Sequence, residues 1–182
     1  MAKNKASRFV LALAAALMGL AMANASDSET YTVNVPSSES VTIETPGEPD
    51  SLTVVDYYNS GGRCSTEGRF CTWYPTIKYS TNHATNRKLV AKVSNVSAGL
   101  SVILEKQTDP NYANPYTLEY GTTPGSWAFL GSSITLSDID QDIVIGIQNG
   151  SYAVAPIIKL QFASYPAMGT YSATVAFTIM AQ

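Results

Sequence analysis

The chain has 182 residues, of which 45% are hydrophobic and 14% are charged, and its formal net charge at pH 7 is −3. A weakly acidic chain is unsuited to binding phosphate backbones, so nucleic acid is not an expected partner. The length suits one domain with its own hydrophobic core. The many Ser, Thr, Tyr and Val residues, together with few charges, indicate an all-β chain.

The N-terminal segment has the pattern of a secretory signal peptide. Lys3, Lys5 and Arg8 precede an apolar run over residues 9–22, which leads to an A-x-A cleavage site at residues 23–25. The apolar run is too short to indicate a stable membrane span. We therefore expect residues 1–25 to be removed during export.

The first half of the exported chain alternates apolar and polar residues in short segments separated by turns. Predicted strands cover residues 31–35, 41–45, 52–58 and 73–79, and the first of them stops at Pro36. Successive side chains of a strand point to opposite faces, so this alternation indicates strands with one buried face.

Cys64 and Cys71 lie in the loop that precedes the fourth predicted strand. Two cysteines in an exported protein are expected to form a disulfide, which here would close a local loop. Their spacing is not C-x-x-C and no histidine is near them in sequence, so neither a redox role nor a metal role is favoured.

The second half of the chain continues the pattern of short strands. Predicted strands cover residues 88–94, 100–106, 116–120, 128–136, 143–148, 157–163 and 171–180. So many short strands at regular spacing favour a single immunoglobulin-like β-sandwich over residues 37–182. A closed barrel is the main alternative.

Few residues indicate chemistry. His83 is the only histidine, it lies in a polar turn, and no G-x-S-x-G motif accompanies it, so we expect no catalytic residue and no enzyme. Asp138, Asp140 and Asp142 resemble the start of a calcium loop, but Ile143 stands where the turn glycine is required. A solvated turn is the favoured interpretation, weak calcium binding stays open, and no metal or cofactor is expected.

Aromatic residues are frequent in loop-like segments. An exposed aromatic platform would suit a carbohydrate-binding sandwich, whereas tryptophans of sandwiches more often lie in the core. The candidates are Tyr57, Tyr58, Trp73, Tyr74, Tyr112, Tyr116 and Trp127.

The C-terminal segment carries the strongest pattern. A glycine, Gly169, lies fourteen residues from the C-terminus, and alternate apolar residues follow it: Tyr171, Ala173, Val175, Phe177 and Ile179. This segment resembles the C-terminal strand of bacterial chaperone–usher pilins, and residues 80–93 are similar to a mid-domain stretch of alpha-type fimbrial major subunits. The family usually has an aromatic residue at the penultimate position, where this chain has Ala181.

The resemblance implies an incomplete immunoglobulin-like fold. Its missing strand would be supplied first by a periplasmic chaperone and then by the N-terminal extension of another copy or a related subunit, with assembly at an outer-membrane usher. The acceptor edge would be the strand from Gly169 to Ile179. The implied protein is a structural subunit of a surface filament, which passes through the periplasm to the cell surface.

The residues themselves suggest the donor segment. Residues 26–36 precede the sandwich, and Tyr31, Val33 and Val35 share one face of the predicted strand. Burying each of these side chains would contribute about 1.5–3 kcal/mol. If residues 31–35 instead pair within their own domain, the protein is a self-contained secreted sandwich that binds a carbohydrate or another surface ligand.

Overall fold

A computed structural model describes residues 37–44, 52–53, 64–65, 67, 69–167 and 170–182. The expectations for residues 1–25, for the donor segment 26–36 and for residues 54–58 lie outside these residues. Within the described part the chain is all-β, with strands and turns and no helix, which confirms the predicted class. Consequently, no helix of the described part is long and apolar enough to cross a membrane.

The described strands recur along the whole of the unit from Pro36 to Gln182. In chain order they are β1 (Glu39–Glu44), β2 (Leu52–Thr53), β3 (Cys64–Ser65), β4 (Phe70–Trp73), β5 (Thr76–Thr81), β6 (Arg87–Ser94), β7 (Leu100–Glu105), β8 (Tyr116–Thr117), β9 (Ser126–Trp127), β10 (Ser133–Thr135), β11 (Gln141–Ile147), β12 (Gly150–Val154), β13 (Ile157–Phe162), β14 (Thr170–Tyr171) and β15 (Thr174–Ala181).

These strands form three antiparallel sheets and one short pair. The first sheet, called the β1 sheet, has the order β1-β5-β12-β8, and the second, the β15 sheet, has the order β15-β6-β11-β9. The third sheet has the order β10-β7-β13-β4-β3, and β14 pairs with β2. All of these pairings are antiparallel. The sheets share one core, so the arrangement is sandwich-like.

One connected core lies between the three sheets, and it is built from alternate residues of the central strands. Each sheet contributes side chains that are almost fully buried. They include Ile77 and Tyr152 of the β1 sheet, Leu89 and Ile143 of the β15 sheet, and Leu104 and Phe162 of the third sheet.

Two buried tyrosines of the core have their polar ends satisfied. The Tyr79 hydroxyl donates to the Pro124 carbonyl at 2.7 Å, and the Tyr152 hydroxyl donates to the Asn149 carbonyl at 2.8 Å. Burial raises the pKa of Tyr79 well above its ordinary value, with a further contribution from Tyr152. The Tyr79 hydroxyl therefore acts as a neutral donor, and the two hydrogen bonds hold both rings in place.

Proline explains one difference from the predicted strands. The segment 73–79, predicted as one strand, is divided at Pro75 into β4 of the third sheet and β5 of the β1 sheet. Proline has no N–H to donate and restricts the residue before it, so the chain changes sheet at this point.

Other segments also differ from the predictions: the predicted strand 116–120 is shortened to β8, and β3 and β9 were not predicted. The predicted strand 171–180 is two strands, β14 and β15, with Ser172 and Ala173 between them. Most of the predicted strand 128–136 lies outside the sheets, and only β10 remains of it. The strand β12 was not predicted, because Asn149-Gly150 has the composition of a turn.

Candidate functional site

The feature that stands out is a pair of long edge strands that lie beside each other. β1 ends one side of its sheet and β15 ends one side of its own, and Cα atoms of the two strands lie within 8 Å of each other. In the part of the chain that the structure describes, no strand pairs with the outer side of either one. We call the surface between β1 and β15 the edge groove.

The backbone groups that face the outer side of β15 can be assigned from the register. Thr174 lies opposite Ser94, and in the same register the Gln182 N–H donates to the Asn86 carbonyl at 3.3 Å. In an antiparallel pair, residues alternate between bonding across the pair and pointing away from it. The N–H and C=O groups of Val175 and Phe177 therefore point to the outer side.

The same argument applies to β1. The Asn82 N–H donates to the Ser38 carbonyl at 3.2 Å, in register with the pairing of Glu39 and Thr81. By alternation, the backbone groups of Val41 and Ile43 face the outer side. Each wall of the edge groove thus presents hydrogen-bonding groups of the kind that an added strand would use.

Burial falls sharply from the neighbouring strand to the edge on the β15 side. Leu89 and Ala91 of β6 are fully buried, and Ile179 of β15 is 7% exposed. Further along β15, Val175 and Phe177 pack against the core but remain only half-buried. This wall is therefore apolar and incompletely covered by the described residues.

The β1 wall shows the same gradient. Its inward-facing Val41 and Ile43 lie opposite Tyr79 and Ile77 of β5, which are almost completely buried. Val41 itself is half-buried, and Ile43 is 43% exposed although it lies opposite a fully buried residue. The two walls together leave an apolar surface that a donated strand would cover.

A charged cluster joins β1 to β6, the strand that pairs with β15, at one end of the edge groove. Glu39 of β1 forms an ion pair with Arg87 of β6, in which Arg87 Nε lies 2.7 Å from Glu39 Oε1. The Arg87 side chain is only 11% exposed. Arg87 lies opposite Ala181, so the cluster marks the C-terminal end of β15. His83 Nε2 lies 3.6 Å from the same carboxylate oxygen, which places the only histidine in this structural cluster.

The structure separates the residues of the predicted acceptor edge. Val175, Phe177 and Ile179 lie together on β15. Tyr171 instead belongs to β14, where it pairs with Leu52, and its ring packs against Phe162 with centroids 5.1 Å apart. Ala173 lies between the two strands and packs against the core.

The remaining residues of the predicted assembly site are Gly169 at the start of the acceptor edge and the donor side chains Tyr31, Val33 and Val35. All four lie outside the described residues. The described residues therefore include most of the predicted acceptor edge and none of the predicted donor side chains.

The disulfide between Cys64 and Cys71 is confirmed. The two residues are direct partners in the pairing of β3 with β4, and the Cys71 side chain is fully buried. The bond thus fastens a two-residue edge strand to the third sheet, in agreement with the predicted local role.

The acidic turn is held by lysines. Asp142 lies 2.8 Å from Lys88 and Asp140 lies 3.7 Å from Lys92, both lysines being on β6. Among the described residues, no three His, Cys, Asp or Glu side chains come together in a way that would hold a metal ion.

The aromatic candidates divide into two groups. Trp73 and Trp127 pack against the core, and Trp127 Nε1 donates to the Ala113 carbonyl at 2.8 Å. Tyr74 and Tyr112 are exposed by 56% and 45%. Of the remaining candidates, Tyr116 is half-buried, while Tyr57 and Tyr58 lie outside the described residues.

The sequence interpretation did not identify β1 as the second wall. The alternation of Val41 and Ile43 predicted a strand, but its position at an edge depends on pairing with β5, far along the chain. The roles of Glu39 and Arg87 depend on the same pairing.

Comparison of the chain with protein-family models, with curated proteins and with solved structures gave no match.

Proposed function

We propose that the protein is a structural subunit of a surface filament, assembled by strand donation from one copy to the next. The observation that carries the proposal is the edge groove. Its two walls are the longest edge strands of the described sheets, with six residues in β1 and eight in β15, and their inward-facing side chains are incompletely buried. Strand addition at a sheet edge gains affinity from backbone hydrogen bonds and specificity from alternate side chains.

The dimensions of the proposed donor suit the groove. Residues 26–36, fully extended, would span roughly 36 Å at about 3.3 Å per residue. The eight residues of β15 span roughly 27 Å in a strand. Tyr31, Val33 and Val35 alternate with polar residues, so one face of the donor would be apolar and match the half-buried walls.

The direction of the chain favours donation to another copy. Residues 37–38 enter β1 at the end of the groove where Glu39 pairs with Arg87 of β6, and both backbone groups of Ser38 bond to Asn82. To lie in its own groove, the segment 26–36 would have to reverse direction immediately before Ser37. A segment that continued outwards from the sandwich would need no reversal and would reach a neighbouring subunit.

The partners in this proposal are other copies or related subunits. A periplasmic chaperone would cover the groove before assembly and an outer-membrane usher would receive the subunit, as the resemblance to pilins implies. An uncovered apolar edge is an aggregation hazard, which is the physical reason for such a chaperone. The proposal includes export, surface location and no catalytic site.

A direct test uses the full chain expressed in an exporting bacterial host. The exported material is run on a denaturing gel without boiling and imaged by negative stain, beside the variants Val33→Asp and Asn34→Asp. We expect a ladder of bands that collapses on boiling for the wild type and for Asn34→Asp, whose changed side chain lies on the other face of the donor. Val33→Asp should give monomers only.

A single monomer band from a folded wild-type protein, with no fibres on the grid, would overturn the filament proposal. Equal ladders for the two variants would contradict the role of the Val33 face. In the first of these cases a self-contained secreted binding module becomes the leading interpretation.

A further inference from the structure

The outward-facing side of the β1 sheet carries a depression of about 360 Å³ that the filament proposal does not use. Its floor includes a row of serines across three strands. Ser80 of β5 lies opposite both Ser40 of β1 and Ser151 of β12. The hydroxyls of Ser40 and Ser80 are 2.8 Å apart and form a hydrogen-bonded pair, and Ser151 adds a third hydroxyl that can donate and accept hydrogen bonds.

The next row of the same face supplies an ion pair. Thr42 lies opposite Lys78, and Lys78 Nζ lies 2.7 Å from Glu44 Oε1. Each charge is compensated by the other, so the floor presents little net charge to a ligand. At the far side of the depression, Leu118 is 39% exposed and adds an apolar patch, and Glu119 adds a carboxylate that disfavours anions.

Two tyrosines lie just beyond the lining of the depression, at the end of the row that contains Lys78. Tyr116 of β8 lies opposite Ala153, which itself lies opposite Lys78. Tyr112 packs against Tyr116 edge to face with centroids 6.0 Å apart and is 45% exposed. Burial, reinforced by Tyr112, raises the pKa of Tyr116 although Lys78 opposes the shift, so its hydroxyl remains a donor.

We infer that this depression binds a neutral saccharide. A sugar ring offers hydroxyls to the serines and C–H groups to Leu118, and it carries no charge to desolvate. A saccharide that extended past the lining along the row of Lys78 would also meet the two tyrosines. The volume is within the range of small-molecule sites, about 300–1,000 Å³. A peptide strand is a poorer match, because the backbones of β5 and β12 are already paired on both sides.

The depression is independent of the edge groove. Ser40 and Thr42 are exposed on one face of β1, whereas Val41, between them, packs against the core on the other face. A saccharide on the outer face therefore leaves the groove accessible. Binding and assembly can be measured separately, and the failure of one does not imply the failure of the other.

The test titrates the exported full chain with cellobiose, maltose and lactose, and with sialyllactose as an anionic probe, while amide shifts are followed by NMR or heat by calorimetry. We expect saturable binding of at least one neutral sugar. Tyr112→Ala should raise its dissociation constant by about tenfold, and Ser80→Arg, which fills the depression from its exposed face, should abolish binding. Tyr165→Ala, at an exposed tyrosine remote in sequence from these rows, is the matched control and should bind as the wild type does.

Three results would overturn the inference. They are the absence of binding by all three neutral sugars, binding that survives Ser80→Arg, and a preference for sialyllactose over lactose. Circular dichroism of each variant establishes that a loss of binding is not a loss of the fold. Tyr112→Ala also provides a second variant that changes only an exposed side chain.

Discussion

The edge strands on the two sides of the β1 and β15 sheets differ in length. On one side the edges are β1 and β15, with six and eight residues, and on the other side they are β8 and β9, with two residues each. Natural sheets limit unwanted pairing by keeping edge strands short. Among the described residues, the far side follows that rule and the groove side does not, which is the arrangement that the filament proposal requires.

Packing reinforces the contrast. On the far side, Trp127 of β9 is fixed by its bond to Ala113 and by the Phe129 ring at 5.4 Å. Gly125, just before β9, has a φ of 91°, and a Cβ there would lie 2.6 Å from the Val144 side chain. Only glycine allows this close approach. On the groove side, the Phe177 ring has no N–H to donate, unlike the Trp127 ring. Among the described residues, Phe177 also belongs to none of the aromatic pairs.

Filling the groove within one chain should have the largest effect. A copy of residues 26–36, joined through a short flexible linker after Gln182, would run back along β15 and occupy its own groove. Burying Tyr31, Val33 and Val35 contributes about 1.5–3 kcal/mol each before the cost of ordering the segment. We expect the ladder of polymers to disappear and the Tm of the monomer to rise by roughly 10 °C, measured by thermal unfolding.

The control for this experiment is the same extension with its three apolar residues replaced by serine. It adds equal length and equal backbone but no apolar face, so it should neither raise the Tm nor prevent assembly. If both extensions stabilise the chain equally, the half-buried walls are not the reason for the effect.

A pair of aromatic truncations compares the two sides directly. Trp127→Ala removes a ring that is packed and hydrogen-bonded, and should lower the free energy of unfolding by about 3 kcal/mol. Phe177→Ala removes a half-buried ring at the groove and should lower it by about 1–2 kcal/mol in the monomer, while reducing assembly strongly. Denaturant unfolding measures the free energy of unfolding, and the unboiled gel measures assembly. If Phe177→Ala lowered the free energy of unfolding as much as Trp127→Ala does and left assembly unaffected, the groove side and the far side would not differ in the proposed way.

Parts of this architecture were predictable from local pattern. The alternation in residues 88–94 and 100–106 predicted β6 and β7 to within one residue at each end, because one face of each strand is buried along its whole length. The groove was predictable on one side only. Val175 and Phe177 indicated an apolar edge, but the second wall requires knowing that β1 pairs with β5, and no local pattern reports a long-range pairing.

Proline substitutions test which backbone groups face outwards. The Val175 N–H points to the outer side of β15, so Val175→Pro should retain a folded monomer but block strand addition. The Ala176 N–H points towards Lys92 of β6, so Ala176→Pro should break a ladder bond and lower the free energy of unfolding by about 2 kcal/mol. Amide exchange and the unboiled gel together distinguish the two outcomes. A larger stability loss for Val175→Pro than for Ala176→Pro would show that the assigned alternation is wrong.

The smallest effects are expected where an ion pair joins β1 to β6 at the end of the groove. Glu39→Gln leaves the largely buried Arg87 without its carboxylate, and should lower the free energy of unfolding by about 1–2 kcal/mol. Glu44→Gln, on the same strand, breaks an ion pair whose side chains are 42% and 44% exposed. It should change the free energy of unfolding by less than about 0.5 kcal/mol. The two losses are compared by denaturant unfolding at low and high salt, because an exposed pair is screened and a buried one is not. If Glu39→Gln is as mild as Glu44→Gln, the cluster does not hold β1 against β6, and the width of the groove at that end must be set by the strands themselves.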